Sequence, residues 1–288
     1  IVLHNKEANE LLDYLKKLNE TRVDAIIVSD PYIIDMAIKH TNLEVHLSTQ
    51  QSTMNKEACN FFKNQGVKRI VLARECNIDQ IRQICQHSEV PIEAFIHGGM
   101  CVNYSGRCTL SNQMTYRDAN RGGCAQSCRW KYDLFEDGNK ISDDECMFSM
   151  SSKDLMAVDY VYDMMDANVT SLKIEGRMKT ALYVAVVTRT YRQAIDDYMR
   201  DPKLYESRMD YYKEEIAKCT YRQFTTGFFF GKPDHDTQIY DSNTYVKAYT
   251  YLGLIGESRG DGYYSLEQRN KFSVGDIIEV MKPDGRDM

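Results

Sequence analysis

The chain has no apolar run approaching the ~18 residues that a membrane-spanning helix needs, and no charged segment leading into an apolar one near its start. Neither a helical span nor a secretory leader is read from it, and the cytoplasm is the expected compartment. Also missing are a His-Glu-x-x-His helix, a Gly-x-Ser-x-Gly elbow and any cysteine clearly paired with a histidine. The common hydrolase signatures therefore have no foothold, although a triad assembled in space leaves no trace in a sequence. Acidic residues outnumber basic ones, giving a formal charge of -6, and there is a single tryptophan, Trp130. Nine cysteines make an odd count, which suits a reducing compartment with metal or redox chemistry better than a disulfide scaffold.

What is present is concentrated. Cys101, Cys108, Cys124 and Cys128 fall within 28 residues, together with Arg107, Arg117, Arg121, Arg129 and Lys131 and the lone acid Asp118. Thiolates gathered on one metal centre supply negative charge that neighbouring cations stabilise, and the same cations would hold an anionic substrate or nucleic acid beside it. The spacing C-x6-C-x15-C-x3-C differs from the two short knuckles of a zinc ribbon. An iron-sulfur cluster held by four cysteines tolerates such spacing, because each of its four irons needs only one thiolate. Zinc stays open as the alternative. Gly98, Gly99, Gly106, Gly122 and Gly123 flank the ligands and would let the backbone turn and aim amide hydrogens at sulfur. Cys59, Cys76, Cys85, Cys146 and Cys219 are scattered and read as small packing residues.

Around this segment, helical periodicity alternates with short β-branched runs. Leu11, Leu12, Leu15 and Leu18 form a helical stripe. Strands are predicted at residues 25–28, 45–47, 70–73, 92–96 and 171–174, with Asn55 and Asn77 as helix caps and Gly66 as a helix end. A hairpin is predicted at Asp137-Gly138, a helix from Ser151-Ser152-Lys153-Asp154 through Ala167, and a long helix over 180–200 that breaks at Asp201-Pro202. The fold class is α/β. Because a whole eightfold (β/α) barrel takes about 250 residues, the five strands, with Ile1-Val2-Leu3 as the tail of another, predict a partial (β/α) TIM-like barrel in an N-terminally incomplete chain. An open doubly wound sheet is the alternative. The expected domains are a barrel portion at 1–200 carrying the cysteine-rich loop 98–131, a helical or linker segment at 201–240, and a small C-terminal β domain at 241–288.

In either architecture the site lies where strands end. His46, Ser48, Gln50, Arg74, Glu75, His97, Glu175 and Arg177 sit there. Arg74 and Arg177 suit bidentate carboxylate or phosphate binding. The catalytic candidates are Arg74, Glu75, His97, Glu175 and Arg177, and the cofactor-binding candidates are His46, Ser48, Gln50, Arg74 and Arg177. For nucleic acid, Arg107, Arg117, Arg121, Arg129 and Lys131 would neutralise phosphates, while Tyr104, Tyr116 or Trp130 would stack on an extruded base.

Several blocks carry a resemblance. Glu93-x-Phe95-x-x-Gly98-Gly99-Met100-Cys101, Gly106-x-Cys108-x-Leu110-Ser111, Asp118-Ala119-Asn120-Arg121-Gly122 and Cys124-x-x-x-Cys128-Arg129-Trp130 resemble the U32 peptidase (collagenase-like protease) family, as do Ser152-Lys153-Asp154-Leu155 and Lys173-Ile174-Glu175-Gly176-Arg177. Gly99 replaces the usual Ser or Ala, and Met156 stands where some relatives have cysteine. The chain is most similar to the branch that hydroxylates tRNA. That resemblance implies a 4Fe-4S cluster on Cys101, Cys108, Cys124 and Cys128, prephenate-dependent 5-hydroxylation of wobble uridine, and an anionic co-substrate near Arg74 or Arg177. It further implies tRNA as partner, with a homo- or hetero-oligomer with a paralogous member as the candidate assembly. The other readings are a peptidase, as the family's name says, and a non-catalytic RNA-binding subunit stapled by a structural metal.

Overall fold

A computed structural model describes residues 2–143, 148–239 and 245–282. Cys146 lies outside the described residues, as does Ile1. The chain divides into two compact units, one formed by Ile1–Glu175 with Gln223–Thr244 and the other by Gly176–Arg222 with Tyr245–Met288.

The first unit opens with α1 (Asn5–Ala8), α2 (Leu11–Glu20), β1 (Ala25–Val28), α3 (Pro31–His40) and β2 (Glu44–Leu47). It continues with α4 (Lys56–Asn64), β3 (Arg69–Val71), α5 (Ile78–His87) and β4 (Ile92–Gly99). Punctuation follows from side-chain chemistry. The carboxylate of Asp30 accepts from the backbone of Tyr32 and Ile33 ahead of Pro31, while Asn55 and Asn77 accept from Ala58 and Gln80 at the starts of α4 and α5. Val2 and Leu3 are not in a strand; the Leu3 amide donates to Asp30.

After β4 come α6 (Leu110–Thr115), a hairpin of β5 (Phe135–Glu136) and β6 (Asn139–Lys140), β7 (Asp154–Met156), α7 (Val161–Asp166) and β8 (Ser171–Ile174). The hairpin turns at Asp137 and Gly138, both with positive φ, as a two-residue turn requires. One expectation is overturned here: residues 151–154 do not start a helix. Asp154–Met156 instead pairs antiparallel with His97–Gly99, and helix begins only at Val161. Asp154 is buried, and the backbone bonds offered by β4 outweigh the capping signal of the sequence.

In the main sheet β1, β2, β3 and β4 are parallel and neighbour one another in chain order, and β8 then pairs parallel with β4. This is a mixed α/β architecture, with β7 as the antiparallel member. After the second unit's first segment the chain returns with Phe224–Thr225, which pairs parallel with β7. The core is built from Val45, Leu47, Ile70, Leu72, Ile92 and Ile96 on the strands, against Leu15, Ala37, Cys59 and Ile81 on the helices. β4 is buried along nearly its whole length, so its one carboxylate needs partners: burial works against ionised Glu93, but Lys173 at 2.5 Å and Arg69 at 3.4 Å hold its pKa below the ordinary carboxylate value. These bonds join β3, β4 and β8 through two residues of the family-like blocks.

In the second unit α8 (Ala181–Arg200), the long helix expected over 180–200, buries Tyr183, Val187, Tyr191 and Ala194 on one face. Next come α9 (Pro202–Ser207), begun by Pro202 and capped by Asp201, and α10 (Met209–Ala217). The carboxylate of Asp197 accepts from Tyr212 at 2.6 Å and Arg208 at 2.8 Å, fastening these helices together. The β-rich tail is represented by one antiparallel pair, Gly253–Gly260 with Tyr263–Gln268. No helix of the described residues is long and apolar enough to cross a membrane.

Candidate metal centre and nucleic-acid interface

The cysteine segment leaves β4 at Gly99 and is held down by the strand-end loops. Glu75, just past β3, accepts from the backbone N–H of Ser105 at 2.9 Å and from its hydroxyl at 2.9 Å. Ser52, past β2, donates its hydroxyl to the carbonyl of Ser105. Gly106 lies against Gln50 so tightly that a Cβ there would overlap the Gln50 carbonyl, and its φ of 74° is one that glycine tolerates best. Two of the strand-end residues singled out by sequence, Gln50 and Glu75, are thus engaged with the loop backbone. Ser48 caps the short turn Thr49–Gln51 by accepting from Gln50. Gly98, with φ of 108°, is pressed against the Glu175 carbonyl, while the Glu175 amide donates to His97 at 2.8 Å.

If Glu75 acts as this clamp, Glu75→Ala will cost about 2 kcal/mol in denaturant unfolding, the scale of a hydrogen bond to a charged group, and will lower retention of any metal that the cysteines hold. Glu75→Gln keeps an acceptor oxygen and should recover most of both. A catalytic acid or base would instead be disabled by either change, so activity measured on the two variants separates the roles.

Within the loop, burial pushes the Cys128 thiol up, Arg129 pulls it down, and Cys101, Cys124 and Cys108 push it further up. Cys101, Cys108 and Cys124 each lie within electrostatic reach of Cys128. Among the described residues no three His, Cys, Asp or Glu side chains converge on a single-ion site. Zinc would need all four sulfurs at about 2.3 Å from one ion, whereas a multi-iron core takes one thiolate at each of its separate corners. Donors to sulfur are present: the Asn103 side chain to Cys108 at 3.3 Å and the Gln126 amide to Cys124 at 3.4 Å. These are not the flanking glycines. The amides of Gly122 and Gly123 donate to the carbonyls of Ala119 and Asp118 and turn the loop. Three buried polar atoms of the loop lack a partner, namely Asn120 Oδ1, Arg121 Nε and the hydroxyl of Ser127 beside Cys128. A donor set of four thiols with nearby N–H groups and an unpartnered hydroxyl fits an iron-sulfur cluster.

The cations sort into two groups. Arg121 ion-pairs with Glu7, whose pKa is lowered first by the His4 amide and then by Arg121, and Arg129 donates to the Met100 carbonyl at 3.4 Å. Both are half-buried and tie the loop to its surroundings. Arg107, Arg117 and Lys131 are exposed and form no ion pair among the described residues. Beside them stand Tyr104, Trp130 and Tyr116, the last 94% exposed.

Other sequence candidates are placed apart from the cysteines' immediate contacts. His46 faces Glu44 at 3.3 Å. His97 is buried on β4 against Phe224, with ring centroids 5.8 Å apart. The Arg74 guanidinium stacks over the Phe95 ring at 3.7 Å and has no carboxylate partner among the described residues. Arg177 falls in the second unit. Of the scattered thiols, burial pushes Cys59 and Cys76 up to about 12 and Cys85 and Cys219 to about 11, which makes them inert packing groups.

Sequence reasoning missed a cavity of about 230 Å³ beside Cys101, lined among others by Met100, Cys101, Tyr104, Phe228, Lys232 and Gln238. Its far wall comes from a loop more than a hundred residues downstream, and no local pattern announces it. Asn103 and Ser105 were equally silent, although each sits beside a motif position.

Comparison with known proteins agrees with the motif blocks. The sequence profile of Peptidase family U32 matches residues 1–239, and that of the Peptidase family U32 C-terminal domain matches residues 247–288. A tRNA hydroxylation protein P1 of Bacillus subtilis is 44% identical over 99% of this chain and 69% of its own length. A 23S rRNA 5-hydroxycytidine synthase of Escherichia coli is 36% identical over 85% of this chain and 38% of its own. A protein named collagenase from Porphyromonas gingivalis is 33% identical over 98% and 71% respectively.

Proposed function

The chain belongs to peptidase family U32, and from that premise we propose that it is an iron-sulfur RNA hydroxylation protein acting on tRNA, with wobble uridine as target and the 5-position as the site of hydroxylation. One observation carries this reading: the loop that bears Cys101, Cys108, Cys124 and Cys128 also presents three exposed cations with no ion pair among the described residues and three exposed aromatic rings. The relatives named for tRNA and rRNA hydroxylation support it. RNA binding and cytoplasmic residence go together in this proposal.

Cys101, Cys108, Cys124 and Cys128 would hold the cluster, which when bound supplies redox chemistry beside the base. Asn103 and the Gln126 amide set the hydrogen bonding of two of the sulfurs. Arg107, Arg117 and Lys131 bind phosphates, and Tyr104, Tyr116 and Trp130 offer stacking faces. Arg74, desolvated on Phe95 and lacking a carboxylate partner among the described residues, is the reading's site for an anionic co-substrate such as prephenate. Parallel strands that neighbour one another in chain order support a portion of a (β/α) barrel at 1–200 over a doubly wound sheet, in which that order reverses. The junction of the two family profiles between 239 and 247 supports a C-terminal domain at 241–288, while the first profile continues through the segment 201–239.

The decisive experiment is nucleoside analysis of tRNA from a strain lacking this protein and any paralogue. Loss of 5-hydroxyuridine that the wild-type chain restores supports the reading, and an unchanged profile overturns it. In binding assays, replacing Arg107, Arg117 and Lys131 together with alanine should flatten the salt dependence of tRNA affinity by about two to three units of log-log slope, at about 0.7–0.9 per phosphate contact.

A further inference from the structure

The cavity beside Cys101 is not used by anything described above. Its volume of about 230 Å³ exceeds the roughly 150 Å³ that an engineered protein cavity needs to take up benzene, so a six-membered ring fits within it. Tyr104, from the cysteine loop, and Phe228, from the segment after Thr225, both line it, together with Met100. Ser152, Thr225 and Gln238 bring polar atoms into the lining, beside the charged Lys232 and Asp234. The Ser152 hydroxyl donates to the Met100 carbonyl at 2.8 Å, which orients it with lone pairs to spare, and Thr225 accepts from the Gly227 amide at 3.0 Å. With its side-chain amide turned so that the nitrogen faces them, Gln238 donates to the carbonyls of Met150 and Ser151 at 3.3 and 3.2 Å. Lys232 is exposed at the edge and has no ion pair among the described residues.

Resting on the RNA reading above, we propose that this cavity receives the target pyrimidine base after it has been extruded from its loop. Enzymes that modify a base take it out of the stack and read it between aromatic or apolar walls with a few polar contacts. The lining provides those walls, hydroxyl and amide groups for the base edge, and one cation for the adjoining phosphate. Cys101 forms part of the wall, so a group held by the cysteines would border the base. Charge argues against a doubly anionic co-substrate as the occupant: Lys232 is offset by Asp234 in the same lining, leaving no net positive charge to compensate a second carboxylate.

The test uses the full chain with its cluster and an RNA stem-loop bearing 5-iodouridine at the target position. Irradiation should cross-link the base to Tyr104 or Phe228. Tyr104→Ala and Phe228→Ala should each lower kcat/KM for the unmodified stem-loop about tenfold to a hundredfold, the range expected for losing one base-stacking ring, with iron and sulfide per chain unchanged. Should Phe228→Ala misfold, Lys232→Ala, at an exposed position, is expected to raise KM severalfold with kcat nearly constant. Cross-links confined to Tyr116 or Trp130, with full activity in the cavity variants, would overturn the assignment. So would displacement of the cross-link by a small cyclic dicarboxylate competing for the cavity. A cluster-bearing protein that neither cross-links nor hydroxylates the RNA would remove the RNA reading itself, and the cavity's occupant with it.

Discussion

Cys128→Ser is expected to strip the protein of iron and to cut RNA hydroxylation by about 10³-fold or more, because ligands of one centre act as a unit and the loss of a single member disables the rest. Cys128 is the natural choice. It is half-buried, and burial raises its thiol pKa, with the other three cysteines adding to the rise and Arg129 opposing it. Serine keeps the size and removes the thiolate, leaving the fold of the loop largely intact. Iron and acid-labile sulfide per chain, together with the visible absorption of iron-thiolate bonds, report the loss. Zinc binds without that colour, so a colourless wild-type protein holding one zinc would refute the cluster assignment. Cys59→Ser or Cys219→Ser should retain full iron, since those thiols are buried packing groups well away in sequence from the loop.

The second large effect concerns a residue with no side chain. Gly106→Ala places a methyl group on the Gln50 carbonyl, which is backbone and cannot swing aside, at a φ that already disfavours alanine. The expected outcome is undocking of the cysteine loop from the strand-end loops, at a cost of about 4 kcal/mol, with iron content falling in parallel. Gly122→Ala is the matched control. Its φ of 81° is just as unusual, but nothing lies within 4 Å of the added carbon, so only the conformational cost of about 1–2 kcal/mol remains. Denaturant unfolding and iron analysis on the pair separate strain from collision. Equal losses in both variants would show that the Gln50 contact is immaterial.

Much of the scaffold was legible along the chain. Strands at 25–28 and 171–174 stand where the β-branched runs placed them, and Asn55 and Asn77 cap the helices they precede. These features depend on residues within a few positions of one another, which is why pattern alone finds them. Ser151 to Asp154 misled for the converse reason: their capping signal is local, whereas the partners that make a strand of Asp154–Met156 lie on β4 and at Phe224–Thr225.

For the candidate site the division is similar. Residue type and spacing picked out the four cysteines and the cations around them, but could not tell Arg121, locked to Glu7, from Arg107, which is free of any ion pair among the described residues. Nor could they show that Glu75 clamps Ser105, or that Phe228 and Cys101 border one cavity.

By itself, then, the sequence determined the family, most of the run of helices and strands, and which residues are candidates for metal and phosphate, since those are properties of residue kind and near-neighbour order. Tertiary structure alone decided which polar groups are engaged in holding the loop and which remain for a ligand. A hydrogen bond or a collision belongs to two residues at once, and in this protein the second residue usually comes from a distant turn of the chain.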